Sequence, residues 1–283
     1  MLTVLEALKL SDEYLKKYNI DSSRLNAELL LADILSCKRL DLYLLYDKPL
    51  REFEITKYRD YLKRRSRREP LQYIIGTVEF FGYKLFVDPS VLIPRPETEL
   101  LVECALKKYL PEVEIRILDI GVGSGNIAVS ILKNLPSSTA VGVDINDDTL
   151  SLASKNAREN NVIGRLELVK FDILKDDYKT LGDFDMVISN PPYISLTDFE
   201  NLEPELKHYE PLLSLTDNYD GYSFYKKIIS VSSHLLKKNG RLFFELGKDQ
   251  HTKVKNMMIE NGFSNINIVK DYSDIERVIF GEK

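Results

Sequence analysis

The chain has few of the residues on which disulfide-rich and zinc-dependent proteins are built. Its two cysteines, Cys37 and Cys104, lie far apart, and its three histidines, His208, His234 and His251, have no metal-ligand spacing. Two distant cysteines exclude a disulfide framework and a cysteine-based zinc site, and they fit a reducing cytoplasm. A zinc hydrolase is equally unexpected, so we predict no bound metal.

Long apolar runs are also missing. No stretch approaches the ~20 apolar residues that a membrane-spanning helix needs. The first residues lack the basic segment, apolar run and small-residue cleavage site of a signal peptide. We therefore expect a cytoplasmic protein without membrane attachment.

Positively charged residues are slightly fewer than negatively charged ones, 39 against 44, and they are unevenly placed. The net charge is −5, with +3 in residues 1–74 and −8 in the remainder. An acidic chain binds nucleic acid only through a local basic patch, because phosphate neutralisation supplies most non-specific affinity. The densest positive run is residues 63–68, Lys-Arg-Arg-Ser-Arg-Arg. It is either the solvated end of a helix or a docking patch for an acidic or ribosomal-RNA-bound partner.

The 283 residues suffice for two domains. In residues 1–70 the apolar residues recur at helical spacing, which predicts a small helical bundle. Residues 71–93 are rich in β-branched and aromatic side chains, with Gly76 and Gly82 as turn residues, and predict a β-hairpin linker. Residues 94–283 predict an α/β domain.

Strands and helices alternate within that α/β domain, which predicts a mostly parallel sheet covered by helices on both faces. Strands are expected at 115–120, 139–144, 166–171, 184–189 and 241–246, and helices at 125–135, 147–160, 221–238 and 249–261. Two late β-rich runs, 265–269 and 277–280, are expected to close the sheet as a hairpin.

An apolar strand runs into a glycine-rich turn at residues 117–125, Ile-Leu-Asp-Ile-Gly-Val-Gly-Ser-Gly. Glycines let a backbone approach a ligand closely, and the helix that follows offers free amide donors. A dinucleotide site would show G-x-G-x-x-G, whereas this spacing is G-x-G-x-G. The candidate ligand-binding residues in the loop are Gly121, Val122, Gly123, Ser124 and Gly125.

Acidic residues accompany three consecutive predicted strands. Asp119 could hold a cationic amino group directly or through water. Asp144 could hold both hydroxyls of a ribose, and Phe171 with Asp172 could bind an adenine. Ile145 is a further candidate cofactor-binding residue. Open α/β sheets bind ligands at this edge. The set suits S-adenosylmethionine better than a nicotinamide dinucleotide, because no feature requires a pyrophosphate; the alternative is a tight turn with helix-capping acids.

A fourth strand, 184–189, runs directly into Asn190-Pro191-Pro192-Tyr193. Two prolines cannot continue a strand, so they fix a turn just outside the sheet and leave carbonyl groups free. The asparagine adds a side-chain acceptor and two donors, and the tyrosine adds an aromatic face with a polar tip. Such a turn can hold a planar group that bears an NH₂ and can orient its nitrogen toward an electrophile. The alternative is a proline turn without a chemical role.

Further motifs narrow the choice of protein family. They are residues 69–76 (Glu-Pro-Leu-Gln-Tyr-Ile-Ile-Gly), 80–82 (Phe-Phe-Gly), 92–99 (Leu-Ile-Pro-Arg-Pro-Glu-Thr-Glu), 209–211 (Tyr-Glu-Pro) and 220–221 (Asp-Gly). With the glycine loop and the Asn-Pro-Pro-Tyr turn, the chain resembles class I S-adenosylmethionine-dependent methyltransferases. Over essentially its whole length it is similar to the HemK/PrmC family of peptide chain release factor glutamine methyltransferases.

This resemblance implies a Rossmann-like fold with a mostly parallel seven-stranded sheet, joined to the helical bundle by the hairpin. It implies transfer of a methyl group to the amide nitrogen of the glutamine in the Gly-Gly-Gln motif of class 1 release factors. The bundle would help to dock the release factor. We expect a monomer with no stable nucleic-acid binding.

The resemblance also assigns residues. Cofactor contacts would come from the glycine loop, Asp144, Phe171 and Asn190. Catalysis would rest on Asn190, Pro191 and Tyr193, and substrate binding on these together with Pro192 and Arg95. Arg95 would either position the substrate or form an ion pair with Glu97 or Glu99. The segment 245–250, Glu-Leu-Gly-Lys-Asp-Gln, is either a family feature or a strand-end turn. Residues 214–218 depart from the family pattern, which leaves the shape of that loop open.

Three other functions fit less well. Methylation of an amino group on a nucleic-acid base would require base flipping in a basic cleft, but the α/β part is acidic. A non-catalytic S-adenosylmethionine-binding scaffold would not need Asn190 and Tyr193. A nicotinamide oxidoreductase would need the third dinucleotide glycine.

Overall fold

The computed structural model describes residues 2–283 and separates into two compact units. The first comprises the chain up to Thr77 together with Glu203–Tyr209, and the second comprises Val78–Leu202 and Glu210–Lys283. Among the described residues, none of the helices has both the length and the apolar character that crossing a membrane requires.

The first unit is helical, as predicted for residues 1–70. Its elements are α1 (Val4–Lys17), α2 (Ser23–Ile34), a 3-10 helix (Arg39–Leu45), α3 (Glu52–Ser66), α4 (Leu71–Ile75) and the inserted α9 (Pro204–Tyr209). A capping box begins α1, in which Thr3 Oγ accepts from Glu6 N and Glu6 Oε2 accepts from Thr3 N. Leu8, Leu30 and Leu42 are fully buried in the core between these helices.

Part of the basic run 63–68 forms ion pairs and hydrogen bonds inside this unit. Arg65 is only 6% exposed. Its guanidinium donates to Asn26 Oδ1 at 2.7 Å, to the Glu69 carbonyl at 3.0 Å and to the Glu205 carboxylate at 3.0 and 3.3 Å. Arg64 forms a second ion pair, with Glu69. A buried charge is tolerated only when it is paired and hydrogen-bonded, so Arg65 anchors the inserted α9 to α3.

The predicted hairpin is shorter than residues 71–93. Leu71–Ile75 is helical although its residues favour strands, because Pro70 precedes the first turn and Tyr73 and Ile74 bury their side chains. Gly76, expected as a hairpin turn residue, instead ends α4 with φ +81°. The hairpin consists of β1 (Thr77–Phe80) and β2 (Tyr83–Phe86). The three-part domain division remains a prediction.

The second unit is built on a seven-stranded sheet with the order β5-β4-β3-β6-β7-β9-β8. Its strands are β3 (Arg116–Ile120), β4 (Thr139–Asp144), β5 (Leu166–Lys170), β6 (Phe184–Ser189), β7 (Leu236–Glu245), β8 (Ser264–Lys270) and β9 (Glu276–Glu282). The first five in chain order pair in parallel, and β9 pairs antiparallel with both β7 and β8. The mostly parallel sheet and its late hairpin are as predicted.

Helices cover both faces of this sheet. They are α5 (Pro96–Leu106), α6 (Asn126–Asn134), α7 (Asp147–Glu159), α11 (Ser223–Leu235) and α12 (His251–Glu260). The connections also contain the one-turn helices α8 (Leu196–Phe199) and α10 (Leu212–Leu215) and 3-10 turns at Ile163–Arg165 and Tyr178–Thr180. Two apolar clusters lie on opposite faces, with Ile117 in one and the adjacent Leu118 in the other. Period-2 alternation sends consecutive strand residues to opposite faces. Strand β3 lies between β4 and β6, so the strand order reverses there and opens a crevice at the carboxyl ends.

Candidate active site

The glycine loop connects β3 to α6 at that reversal point. Gly121, Gly123 and Gly125 have φ of +75°, +53° and +81°, which other residues adopt only with strain. The Gly123 amide donates to Asp144 Oδ2 at 3.2 Å and ties the loop to the end of β4. Val122 and Ser124 are 2% and 1% exposed, so their side chains are packed inside the protein.

Asp119 is a fully buried carboxylate beneath this loop. Its Oδ2 accepts from the Ala128 amide at 3.1 Å, whereas Oδ1 has no hydrogen-bond partner among the described residues. Burial raises the pKa of Asp119 to about 7, and the negative charge of Asp144 adds to the increase. A buried oxygen without a donor is costly, so Asp119 is suited to a ligand that brings a donor or a positive charge.

Asp144 ends β4 and is also largely buried, which raises the pKa of its carboxyl group. It accepts from the Asn146 and Gly123 amides, each at 3.2 Å. Phe171 donates its amide to the Asp144 carbonyl at 2.9 Å, so the two residues are adjacent. Ile145 follows Asp144 and is 47% exposed. The structure therefore groups the predicted ribose and adenine residues.

Asp172 lies just beyond the end of β5, and the adenine contact predicted for it stays a prediction. Its Oδ1 accepts from the Leu174 amide at 3.0 Å, and Oδ2 forms a 3.0 Å ion pair with Lys175. Its own amide donates to Asp176. The side chain is thus partly used within its own turn.

The Asn-Pro-Pro-Tyr turn follows β6, the strand beside β3. Ser189 Oγ donates to the Ile120 carbonyl at 2.7 Å and joins the two strand ends. Asn190 Nδ2 donates to Thr98 Oγ1 at 3.2 Å. Pro191 is buried, and Pro192 is half-buried. The turn is therefore held against the same sheet edge as the glycine loop.

Tyr193 is held at its hydroxyl, its carbonyl and one edge of its ring. Its hydroxyl donates to Glu245 Oε1 at 3.2 Å, and its carbonyl accepts from Gln250 Nε2 at 3.0 Å. A Cβ at Gly221, which has φ +79°, would lie 2.3 Å from the Tyr193 carbonyl oxygen, and one at Gly247 would lie 2.9 Å from its ring. Burial, together with the negative charge of Glu245, raises the pKa of Tyr193. The phenol therefore stays protonated and donates.

Glu245 and Thr98 were not predicted as site residues. Glu245 ends β7 and is 2% exposed; its Oε2 accepts from Thr98 Oγ1 at 2.6 Å. Burial raises the pKa of Glu245. In the β6–β7 register Ser189 lies opposite Phe244, so Asn190 and Glu245 follow at adjacent strand ends. An acidic residue that ends a buried strand was the signal available in the sequence.

Arg95 forms its ion pair with Glu210 and not with Glu97 or Glu99. Glu210 is buried and also accepts from the Ile93 amide at 3.3 Å. Glu99 instead accepts from the Phe81 amide at 2.8 Å. The predicted ion-pair partners were therefore wrong, because the acid that contacts Arg95 lies 115 positions away in the sequence. A role of Arg95 in positioning the substrate stays a prediction.

Residues 214–218, whose shape was open, form an ordered turn around Asp217. Its Oδ1 accepts from the amides of Tyr219 and Gly221 at 2.9 and 3.0 Å, and its Oδ2 accepts from that of Ser223 at 3.0 Å. The Ile194 amide donates to the Leu215 carbonyl at 3.0 Å. This turn therefore supports the chain just beyond Tyr193.

The strand order, the glycine loop and the acids at the ends of β3 and β4 define a class I S-adenosylmethionine-dependent methyltransferase. Two family models match: the PrmC N-terminal domain over residues 6–76 and the methyltransferase small domain over residues 96–202. The chain belongs to the release factor glutamine methyltransferase family. It is 40% identical over 281 residues to the protein of that name from Geobacter sulfurreducens, with 99% of this chain and 96% of the relative covered.

A second relative of the same name, from Chlorobaculum tepidum, is 37% identical over 282 residues and covers 97% of this chain and 95% of its own length. Solved structures share the fold. A Pyrococcus furiosus methyltransferase superposes with a TM-score of 0.51 at 18% identity and covers 72% of this chain and 90% of its own. A T. thermophilus 16S rRNA methyltransferase in complex with AdoMet and guanosine gives 0.52 at 19% identity and covers 73% and 49%.

Proposed function

We propose that this protein transfers a methyl group from S-adenosylmethionine to the side-chain amide nitrogen of the glutamine in the Gly-Gly-Gln motif of class 1 peptide chain release factors. Full-length similarity to release factor glutamine methyltransferases supports a release factor as the substrate. The observation that carries the chemistry is the placement of Asn190 beside the glycine loop, at the end of the neighbouring strand.

The cofactor half of the site fits S-adenosylmethionine. Asp119 offers a buried carboxylate oxygen without a protein donor, which suits the cationic amino group of a methionine moiety. Asp144 would hold the ribose hydroxyls, and Phe171 and Ile145 would border the adenine. The bound cofactor supplies an electrophilic methyl group.

The substrate half suits a carboxamide. An amide nitrogen is a weak nucleophile because its lone pair is delocalised into the carbonyl group. Asn190 Oδ1 and the carbonyls of the proline turn would accept from the NH₂ hydrogens and fix the nitrogen's orientation, and they would stabilise the positive charge that develops on it. Tyr193 would border the planar group. No side chain needs to remove a proton from the amide nitrogen before it attacks the methyl group, since the nitrogen becomes acidic as it is alkylated.

We propose that the helical unit helps to dock the release factor. Its surface exposes apolar side chains on the 3-10 helix, Leu40 at 65% and Leu44 at 86%. Exposed clusters of large apolar residues are typical of interaction surfaces. Arg64 and Arg65 are already paired within the unit, so the basic run is a smaller docking patch than the sequence suggests.

One transfer experiment tests the proposal. The protein is incubated with S-adenosylmethionine labelled on the methyl group and with a release factor, or with the same factor carrying another residue in place of the motif glutamine. We expect label in the first factor only. Equal labelling of both factors, or transfer to tRNA or DNA instead, would contradict the proposed substrate.

A further inference from the structure

A chain of three hydrogen bonds leads from the Asn-Pro-Pro-Tyr turn into the protein interior. Asn190 Nδ2 donates to Thr98 Oγ1 at 3.2 Å, and Thr98 Oγ1 donates to Glu245 Oε2 at 2.6 Å. The other oxygen of Glu245 accepts from the Tyr193 hydroxyl at 3.2 Å. Thr98 and Glu245 are each 2% exposed, so water does not compete for these groups.

The number of available hydrogens decides which group donates in each of these hydrogen bonds. Burial raises the pKa of Glu245. However, the hydroxyls of Thr98 and Tyr193 and the positive charge of Arg277 favour its ionised form. An ionised carboxylate only accepts, and a threonine hydroxyl has a single hydrogen. Because that hydrogen is used on Glu245, Thr98 Oγ1 can only accept from its other neighbour. The amide of Asn190 must therefore turn its NH₂ toward Thr98, which places Oδ1 on the opposite side of the amide group.

We propose that Thr98 and Glu245 are positioning residues that hold the Asn190 amide in one of its two orientations, so that Oδ1 and not Nδ2 is presented to the NH₂ group of the methyl acceptor. This inference rests on the proposed function, in which Asn190 binds the acceptor. The two orientations of an amide have nearly the same shape but opposite hydrogen-bonding character. In the flipped orientation, Asn190 would present a donor to another donor.

The same carboxylate also orients Tyr193, so a single buried group sets both polar side chains of the turn. The two partners of Glu245 lie on different elements: Thr98 on α5 and Tyr193 beyond β6. Thr98 in turn accepts from Asn190, which also lies beyond β6. A role limited to joining α5 to β7 would affect folding, but it would not depend on Asn190.

The test compares Thr98→Val, which keeps the shape and removes the hydroxyl, with Thr98→Ser, which keeps the hydroxyl. We expect Thr98→Val to lower kcat by about 10- to 100-fold, as for loss of an oriented donor or acceptor. S-adenosylmethionine affinity should stay within a few-fold of wild type, and Thr98→Ser should restore kcat to within about three-fold. If Thr98→Val does not fold, Thr98→Ala removes the same hydroxyl with less bulk in the site.

A double-mutant cycle separates positioning from structure. If Thr98 acts through Asn190, Thr98→Val should change kcat little in an Asn190→Ala background. An equal fold-loss in both backgrounds would overturn the inference, as would a Thr98→Val enzyme with wild-type kcat.

A measurement that needs no turnover tests directly whether Thr98 holds the Asn190 amide. In protein labelled with ¹⁵N asparagine, the side-chain NH₂ signal of Asn190 is identified by its absence in Asn190→Ala. We expect its hydrogen exchange to quicken in Thr98→Val and to remain slow in Thr98→Ser; unchanged exchange in Thr98→Val would overturn the inference. If the wild-type protein labels no release factor, the proposed function fails, and this exchange measurement still decides whether Thr98 holds the amide.

Discussion

The two halves of the sheet edge differ in how their polar groups are satisfied. On the β3–β4 side, Asp119 has a buried oxygen without a partner among the described residues. On the β6–β7 side, Asn190, Thr98, Tyr193 and Glu245 are bonded to one another. We expect a ligand to complete the first half, whereas the second is arranged by the protein itself. Preorganised polar groups of this second kind stabilise transition states without reorganising.

The largest effect should come from the preorganised half. Replacing Asn190 with alanine should lower turnover by about 10²-fold or more, because a positioned acceptor is lost. S-adenosylmethionine affinity should stay within a few-fold of wild type. Single-turnover kinetics and calorimetry measure the two quantities. Asn267→Ala, at an exposed position on β8, is the matched control, and an active Asn190→Ala enzyme would remove the turn from the mechanism.

The ligand-completed half should respond in the opposite way. Asp119→Asn should weaken S-adenosylmethionine binding by at least ~10-fold at pH 8, since a hydrogen bond to a charged group contributes about 1.5–3 kcal/mol. The wild-type affinity should rise as pH increases through about 7, where Asp119 ionises, and the variant should lack this dependence. Calorimetry between pH 6 and 8 checks both, and parallel pH profiles would show that Asp119 does not contact the cofactor's cation.

Asp119 should also affect the stability of the cofactor-free protein. Its pKa is raised by burial from 3.8 to about 7, so the folded state holds the proton more tightly than the unfolded state. The resulting contribution is full below pH 3.8 and is lost as pH rises to about 7. Asp119→Asn should therefore raise the free energy of unfolding at pH 8 by about 1–4 kcal/mol and have little effect near pH 4. Urea unfolding at pH 8 and near pH 4 measures this free energy. A variant that is less stable than wild type at pH 8 would contradict the raised pKa of Asp119.

The smallest effect should come from Ile145. Its side chain is half-exposed, so Ile145→Ala should leave thermal stability nearly unchanged. Loss of an apolar contact with the adenine should weaken cofactor binding by about two- to five-fold. This corresponds to a binding free energy of roughly 0.5–1 kcal/mol from the apolar area that is no longer buried. Val169→Ala, at a half-buried position on the neighbouring strand β5, is a comparison that should not change affinity. Unchanged binding in Ile145→Ala would place the adenine elsewhere.

The sequence by itself determined the local parts of this protein. Buried strands of five or six residues, a glycine-rich turn and a double proline each follow from short-range patterns, because periodicity, backbone freedom and missing amides act over a few residues. Acids at strand ends could be grouped in advance, since parallel strands bring their carboxyl ends to one edge. The glycine loop and the Asn-Pro-Pro-Tyr turn were therefore both predicted.

Only the tertiary structure decided which distant groups are partners. Glu245 contacts Thr98 across 147 positions, and Arg95 pairs with Glu210 across 115. Strand order and register determine such contacts, and neither can be inferred from the spacing of residues within a short segment. Residues 71–75 show the same principle at short range: their strand-like composition yielded to burial against neighbouring helices, because packing energy exceeds the small intrinsic preferences of the backbone.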